Sequence, residues 1–146
     1  MNDFSIPGVP NQFGFEPSEA NYIRPHKRPL SSITPFILTS PSSVVAIGAA
    51  GGSRIISATA QFIWHLLEHG MDLAQSVGER RLHDQLMPDH VTFEEGFDGG
   101  VVESMVDRGH EAVWVKPVWS AVQAVGGGKG GFEAVAEPRQ RDSGGS

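Results

Sequence analysis

The sequence predicts an α+β fold of short strands and helices, with the helices grouped on one side. Two apolar runs, 36–39 and 44–47, flank a Ser-Pro-Ser-Ser segment, which is typical of a strand, a tight turn and a strand. The next stretch, Ser53 to His69, has helical periodicity and stops before Gly70. Its predicted core arc consists of Ile55, Ile56, Thr59, Phe62, Ile63, Leu66 and Leu67. The length of 146 residues suits one domain or a piece of one.

The elements are predicted in the order loop, two strands, two helices, strand, helix and three strands. Residues 1–30 are proline-rich and lack periodicity, so we expect a surface loop there. Both early strands are apolar throughout, which predicts a sheet that is buried on both faces. A short helix begins at Asp72, a favoured N-cap, and ends before Arg80. The strand, helix and strand that follow are predicted at 91–93, 100–107 and 111–115.

The C-terminal part is predicted to form a hairpin followed by a tail. Segments 120–125 and 132–136 flank the glycine-rich residues 126–131, as in a hairpin with a loose turn. Residues 137–146 are polar, which predicts disorder. We therefore expect one domain over residues 1–136 and a polar tail over residues 137–146.

Composition and charge exclude several classes of function. With 11 Lys and Arg against 17 Asp and Glu, the formal charge is −6, and no basic stripe is present, so we expect no nucleic-acid partner. The absence of cysteine excludes disulfides, thiolate chemistry and cysteine-ligated zinc. The longest uncharged stretch, 29–53, is rich in Ser, Thr and Pro, so we expect no membrane segment. The first residues show no targeting signal, and the compartment stays open.

A glycine-rich turn lies between the second strand and the first long helix. In the segment 48–53, glycines permit positive φ angles and let backbone N–H groups converge on one point. Such a turn could hold an anion or a developing oxyanion. A tight turn that only lets the strand and helix pack closely would have the same local pattern.

Three polar side chains are candidates for binding a charged ligand. Ser31 and Ser32 are adjacent hydroxyl donors near Lys27 and Arg28, and a carboxylate could accept from both. Asp3 could hold an ammonium group. Each also has a plain structural interpretation, because Ser and Asp are common in solvated turns.

The string His65-x-x-Glu68-His69 has the spacing of inverted zinc metallopeptidases. Two histidines four residues apart share a helix face, and Glu68 could act as a general base. However, His69 directly precedes the helix-ending Gly70, and both histidines flank the apolar arc. We therefore predict no metal and no cofactor, and keep a zinc hydrolase as a minor alternative.

Several strings together resemble the small subunit of the γ-glutamyltransferases, the glutathione hydrolases, and most of all the fungal branch. The resemblance covers nearly the whole chain in order. It rests on Met1-Asn2-Asp3-Phe4-Ser5, Pro10-Asn11, Ser18-Glu19-Ala20-Asn21, Lys27-Arg28-Pro29-Leu30-Ser31-Ser32, Gly48-Ala49-Ala50-Gly51-Gly52-Ser53-Arg54, Arg81-Leu82-His83-Asp84-Gln85-Leu86 and residues 134–139.

The resemblance implies a fold and a reaction. The family has the four-layer αββα sandwich of N-terminal nucleophile hydrolases, of which this chain would be an incomplete part. A precursor cleaves itself into a large and a small subunit. The new N-terminal threonine of the small subunit is the nucleophile. The implied partners are a large-subunit chain and glutathione or other γ-glutamyl compounds, whose γ-glutamyl group passes to an amino acid, a peptide or water.

The resemblance also implies roles for single residues. Asp3 matches the carboxylate that holds the α-ammonium of the substrate, and Ser31 and Ser32 match the hydroxyls that bind its α-carboxylate. Gly51 and Gly52 match the N–H donors of the oxyanion hole. Residues 7–14 match a loop that covers the site in bacterial relatives, with Phe13 where those have a tyrosine.

The family pattern places its catalytic threonine upstream of the position of Asp3, and Met1 coincides with an internal methionine. None of the threonines at 34, 39, 59 and 92 can present a free α-amino group. We therefore expect the isolated chain to be inactive and to leave open sheet edges and apolar faces. The alternative is a noncatalytic fragment that binds a γ-glutamyl ligand or pairs with a large subunit.

Overall fold

The computed structural model describes residues 3–140 and 143–144; Met1 and Asn2, with which the first matched string begins, lie outside the described residues. The strands are β1 (Phe36–Thr39), β2 (Ser43–Ala50), β3 (Leu82–His83), β4 (Val91–Glu94), β5 (Ala112–Val115), β6 (Ala121–Gly128) and β7 (Gly131–Val135). The helices are α1 (Arg54–Leu67), α2 (Leu73–Gly78) and α3 (Gly99–Asp107). The mixed α+β class is confirmed, and residues 3–35 form a loop with one short 3-10 turn, Glu19–Asn21.

The first sheet has the order β1-β2-β6-β7 with antiparallel neighbours. Helices α1 and α2 pack on one face of it, and the buried residues between these layers are Ile47, Ala58, Phe62, Leu73, Val77, Val122 and Ala124. The predicted core arc of α1 is confirmed at its centre, where Thr59 and Phe62 are each 1% exposed. It is wrong at its edges, because Ile56 and Leu67 are 54% and 61% exposed.

The opposite face of this sheet is apolar and exposed. Strand pairing places Ile37 and Val125 on either side of Ala46. Val44 and Phe132 lie two residues further along their strands, on the same face of the sheet. All four of the larger side chains are exposed. The expectation of burial on both faces is therefore wrong here, because alternate side chains point to opposite faces and the described chain covers only one.

A second, smaller sheet has the order β3-β4-β5. Strand β4 runs parallel to β5 and antiparallel to β3, and all four of its residues are buried. Helix α3 covers this sheet through Val102 and Met105. No strand was predicted over residues 80–86, because this polar stretch between elements has no strand-like alternation. The two-residue strand exists because Leu82 and His83 pair with Phe93 and Thr92.

The glycine run near the C-terminus belongs to a strand. Strand β6 extends to Gly128 and β7 starts at Gly131, so a two-residue turn replaces the predicted loose loop. A Cβ atom on Gly127 would lie 2.2 Å from the carbonyl oxygen of Gly131, and one on Gly128 would lie 2.2 Å from that of Ser42. The glycines thus let neighbouring backbone approach where a side chain would collide.

The start of the predicted tail packs into the protein through the side chains of Glu137 and Arg139, so the expectation of disorder is wrong there. The side chains of Glu137 and Arg139 are 0% and 5% exposed. Glu137 binds Arg81 at 2.8 Å, and Arg139 binds both Glu137 at 2.8 Å and Glu94 at 2.7 Å. Glu137 also accepts from the amide of Val122 in β6, so the charges tie the first sheet to β4 of the second.

Opposite charges and hydrogen bonds determine the ionisation of this cluster. Burial raises the pKa of the Glu137 carboxyl. The hydrogen bond from Arg139, the charge of Arg81 and the Val122 amide together outweigh this effect and hold that pKa below its usual range. Burial lowers the pKa of Arg81, whereas for Arg139 the hydrogen bonds to Glu94 and Glu137 outweigh burial and raise the pKa. Glu137 is thus held ionised inside the protein.

Among the described residues, no helix has both the length and the apolar character that crossing a membrane requires.

Candidate active site

The glycine turn lies where β2 ends and α1 begins. Gly51 has φ +137° and Gly52 has φ +63°, which are conformations that favour glycine. A Cβ atom on Gly51 would lie only 2.9 Å from the carbonyl oxygen of Trp119, whereas one on Gly52 would meet open space. Within the described part of the chain, neither N–H of the pair donates a hydrogen bond. The turn therefore carries two available donors ahead of the α1 N-terminus.

The serine pair lies against this turn. The hydroxyl of Ser32 donates to the carbonyl oxygen of Gly52 at 2.6 Å. The hydroxyl oxygen of Ser31, which is exposed, accepts from the amide of Ile33 at 3.2 Å. Ser31-Ser32 and Gly51-Gly52 are thus brought together from positions about twenty residues apart.

Asp3 lies in a segment that is held by hydrogen bonds to residues 21 and 22. Its carbonyl oxygen accepts from the side-chain amide of Asn21 at 2.8 Å, and Ser5 forms a β-bridge with Tyr22. The Asp3 side chain is exposed and makes no hydrogen bond to any described residue. Among the described residues, no hydrogen bond or ion pair joins Asp3 to the serine pair or the glycine turn.

The segment 7–14 is a compact surface loop. The side-chain oxygen of Asn11 accepts from the amides of Phe13 and Phe15 at 2.9 and 3.1 Å. Gly8 and Gly14 have positive φ angles of 74° and 85°. The loop is therefore shaped by its own asparagine and glycines.

The structure adds four residues that the sequence analysis did not assign to a site. Arg54, Ser57, His83 and Trp119 line one cavity beside the glycine turn. The guanidinium carbon of Arg54 lies 4.2 Å from the centre of the Trp119 ring. A signal for Arg54 was present, because it directly follows Gly51-Gly52-Ser53. Trp119 was also visible in the sequence, as an aromatic near a predicted strand end that could line a site or pack in the core. Nothing local marks Ser57 or His83.

Ser57 and His83 form a hydrogen-bonded pair within this cavity. The Ser57 hydroxyl lies 2.7 Å from Nδ1 of His83, and Nε2 of His83 lies 2.8 Å from Oε1 of Gln85. Gln85 donates its amide to the carbonyl of Met87, which orients Oε1 as an acceptor. In its neutral form His83 therefore carries its proton on Nε2 and accepts from Ser57 on Nδ1.

The geometry does not support the zinc alternative. His65 and His69 have ring centres 5.6 Å apart, but Nε2 of His69 accepts from the Trp64 indole at 2.5 Å. Helix α1 ends at Leu67, so His69 lies past its last turn. Burial lowers the pKa of His65. Across residues 3–140 and 143–144 no group of three acidic or histidine side chains could hold a metal ion.

Comparison with known proteins identifies the family. A family model described as gamma-glutamyltranspeptidase matches residues 1–145. The chain belongs to this family. The resemblance to the fungal γ-glutamyltranspeptidases is likewise confirmed by relatives that are similar over 99% of this chain. They are a glutathione hydrolase proenzyme from Arthroderma benhamiae, 45% identical, and a glutathione hydrolase from Aspergillus flavus, 36% identical.

The chain spans about a quarter of the length of these curated γ-glutamyltranspeptidase relatives, 25% in each case. It also superimposes on a γ-glutamyltranspeptidase mutant from Helicobacter pylori with a TM-score of 0.83 and 35% identity. That alignment covers 96% of this chain and 78% of the other. The fold is therefore part of the γ-glutamyltranspeptidase fold, an N-terminal nucleophile hydrolase fold, as the family resemblance implied.

Proposed function

We propose that the chain forms the C-terminal part of the small subunit of a glutathione hydrolase, which transfers the γ-glutamyl group of glutathione to an amino acid, a peptide or water. The observation that carries the proposal is the hydrogen bond from Ser32 to the carbonyl of Gly52. It holds a hydroxyl pair suited to a carboxylate against a turn suited to an oxyanion.

The roles follow from the chemistry of a γ-glutamyl group, which offers one ammonium, one carboxylate and one reacting carbonyl. Gly51 and Gly52 donate their N–H groups to the oxyanion that forms at the carbonyl. Ser31 and Ser32 donate to the α-carboxylate once the Ser32 hydroxyl rotates away from Gly52. Asp3 pairs with the α-ammonium, which requires its exposed side chain to face the bound substrate.

The nucleophile in this proposal is the N-terminal threonine of the complete small subunit, activated by its own α-amino group. A large-subunit chain is the partner and supplies an arginine for the substrate carboxylate. The described chain therefore contributes donor-site and oxyanion groups and not the attacking atom. It follows that the isolated chain has no turnover.

Activity assays with and without the upstream sequence test this proposal. The purified 146-residue chain should release no chromophore from a γ-glutamyl anilide, and co-expression with an upstream segment that supplies the threonine should restore release. A Gly51→Asp variant, which places a side chain and a negative charge at the oxyanion turn, is the inactive control. Release by the isolated chain above that control would contradict the division of roles. No release from the co-expressed form would reject the function.

A second candidate is a noncatalytic fragment that pairs with a separate large-subunit chain. The exposed apolar face of the first sheet favours it, because Ile37 and Phe132 remain 72% and 75% exposed. In an αββα sandwich such a face packs against another sheet. Copurification with a large-subunit chain, without acyl transfer, would select this candidate. The lysine variants Ile37→Lys and Phe132→Lys should abolish copurification, whereas Val101→Lys on α3 should not.

A further inference from the structure

One cation beside the glycine turn lacks a counter-charge. Arg54 begins α1 directly after Gly51-Gly52-Ser53, and its side chain is half-buried. Its Nε is buried without a partner, and within the described residues its guanidinium forms no ion pair. Arg81 and Arg139, in contrast, bind carboxylates at 2.8 and 2.7 Å. Among the buried arginines of the described chain, Arg54 stands out as uncompensated.

A half-buried cation without an anion is costly, since it has lost water and gained no opposite charge. Burial accordingly lowers the pKa of Arg54. The Trp119 ring stabilises the guanidinium from one side at 4.2 Å through a cation–π contact. A guanidinium stacked on a ring keeps its N–H edges available for a planar anion. The arrangement therefore suits a carboxylate.

The position of the pair relates it to acyl transfer. The backbone of Trp119 abuts Gly51, as shown by the 2.9 Å between a Cβ built on Gly51 and the Trp119 carbonyl. Ser32 contacts the carbonyl of Gly52. The serine pair thus lies against Gly52, and the Arg54–Trp119 pair lies against Gly51. A substrate whose α-carboxylate lies at the serines would direct its leaving group away from them.

We propose, resting on the function proposed above, that Arg54 and Trp119 bind the C-terminal carboxylate of the peptide that leaves or accepts the γ-glutamyl group. The peptide released from glutathione carries such a carboxylate, and so do amino-acid and peptide acceptors. Water carries none. The pair therefore favours peptides and amino acids over water as acceptors.

Ligand titration of the 146-residue chain tests the proposal without acyl transfer. The probes are glycylglycine and glycylglycinamide, which lacks the carboxylate, and the readout is tryptophan fluorescence. Glycylglycine should give a saturable change, and glycylglycinamide should bind about tenfold more weakly or worse. Trp119→Phe should remove most of the signal. Equal responses to the two ligands, or no saturable response to glycylglycine, would overturn the proposal.

Variants assign the effect to Arg54. Arg54→Gln should weaken glycylglycine binding about tenfold, and Arg54→Lys should retain part of it. Arg108→Gln, at an exposed arginine following α3, is the matched control and should bind as the wild type does. Unchanged affinity in Arg54→Gln would refute the assignment, and the two-ligand comparison on the wild type holds even if that variant fails to fold. If the wild-type chain shows no acyl transfer when it is co-expressed with the upstream segment, the enzyme function is rejected. The binding of glycylglycine to the 146-residue chain can still be measured in that case, so the two proposals fail separately.

Discussion

At the scale of single residues, the two turn glycines are constrained for different reasons. Both have positive φ angles, but only Gly51 has backbone in the space that a Cβ would need. A Cβ on Gly52 would meet open space, so its constraint is the positive φ angle alone. The sequence identified this pair as a functional turn or a packing turn, and the structure gives Gly51 the packing constraint as well.

Alanine variants separate these two constraints. Gly52→Ala should lower the free energy of unfolding by about 1 to 2 kcal/mol, the cost of a left-handed conformation for a residue with a Cβ. Gly51→Ala should cost more, because its Cβ also meets the Trp119 carbonyl at 2.9 Å. Gly48→Ala, in β2 with open space around it, is the control. Urea unfolding measures all three, and equal losses at 51 and 52 would show that the backbone can relax around the added atom.

At the scale of elements, β6 shows how composition can mislead a sequence-based prediction. A run of glycines usually breaks strands, so the sequence suggested a loose turn over 126–131. In the structure Gly126 to Gly128 belong to the strand and pair with β7. These strand positions require glycine because β7, the β1–β2 turn and Leu73 lie too close to leave room for side chains. Capping was easier to predict: Asp72 accepts from the amide of Gln75 at 2.7 Å, as its position suggested.

Substitutions along the glycine run should follow these contacts. Gly127→Ala should destabilise the protein by about 1 to 3 kcal/mol or prevent folding, because backbone atoms cannot yield. Gly126→Ala should cost less, since its nearest contact is the end of the Leu73 side chain at 2.8 Å. Gly130→Ala in the turn should change stability by less than about 0.5 kcal/mol. Thermal unfolding ranks the three, and a tolerant Gly127→Ala would contradict the packed-strand description.

At the scale of the whole molecule, a buried charge cluster holds the two sheets together. Arg81 and Arg139 alternate with Glu94 and Glu137, so the two positive charges face two negative ones. Arg81 also donates to the carbonyl of Val77 at 2.7 Å, which adds α2 to the joined elements. Removing one partner would leave a buried charge uncompensated.

The cluster should make stability fall in acid. The pKa of Glu137 is lowered in the folded state, so its contribution is fully present above the ordinary glutamate pKa of about 4.3 and is lost as the pH falls below it. Glu137→Gln should cost about 3 to 5 kcal/mol near neutral pH and flatten the acid dependence. Glu133→Gln, at an exposed carboxylate in β7, is the control. The test is the free energy of unfolding measured from pH 7 to pH 3. Parallel pH profiles of this free energy for Glu137→Gln and the wild type would contradict this account.

The sequence by itself determined the features that depend on a few neighbouring residues. Helical spacing located α1, an aspartate marked the start of α2, and glycines at a strand end marked the turn at 51 and 52. Only the tertiary structure decided which groups meet across long separations: Glu137 with Arg81, 56 positions away, and Ser57 with His83, 26 positions away. It also decided which sheet face is covered. Periodicity and capping are local, whereas buried charge pairs and cavity walls depend on how distant elements pack.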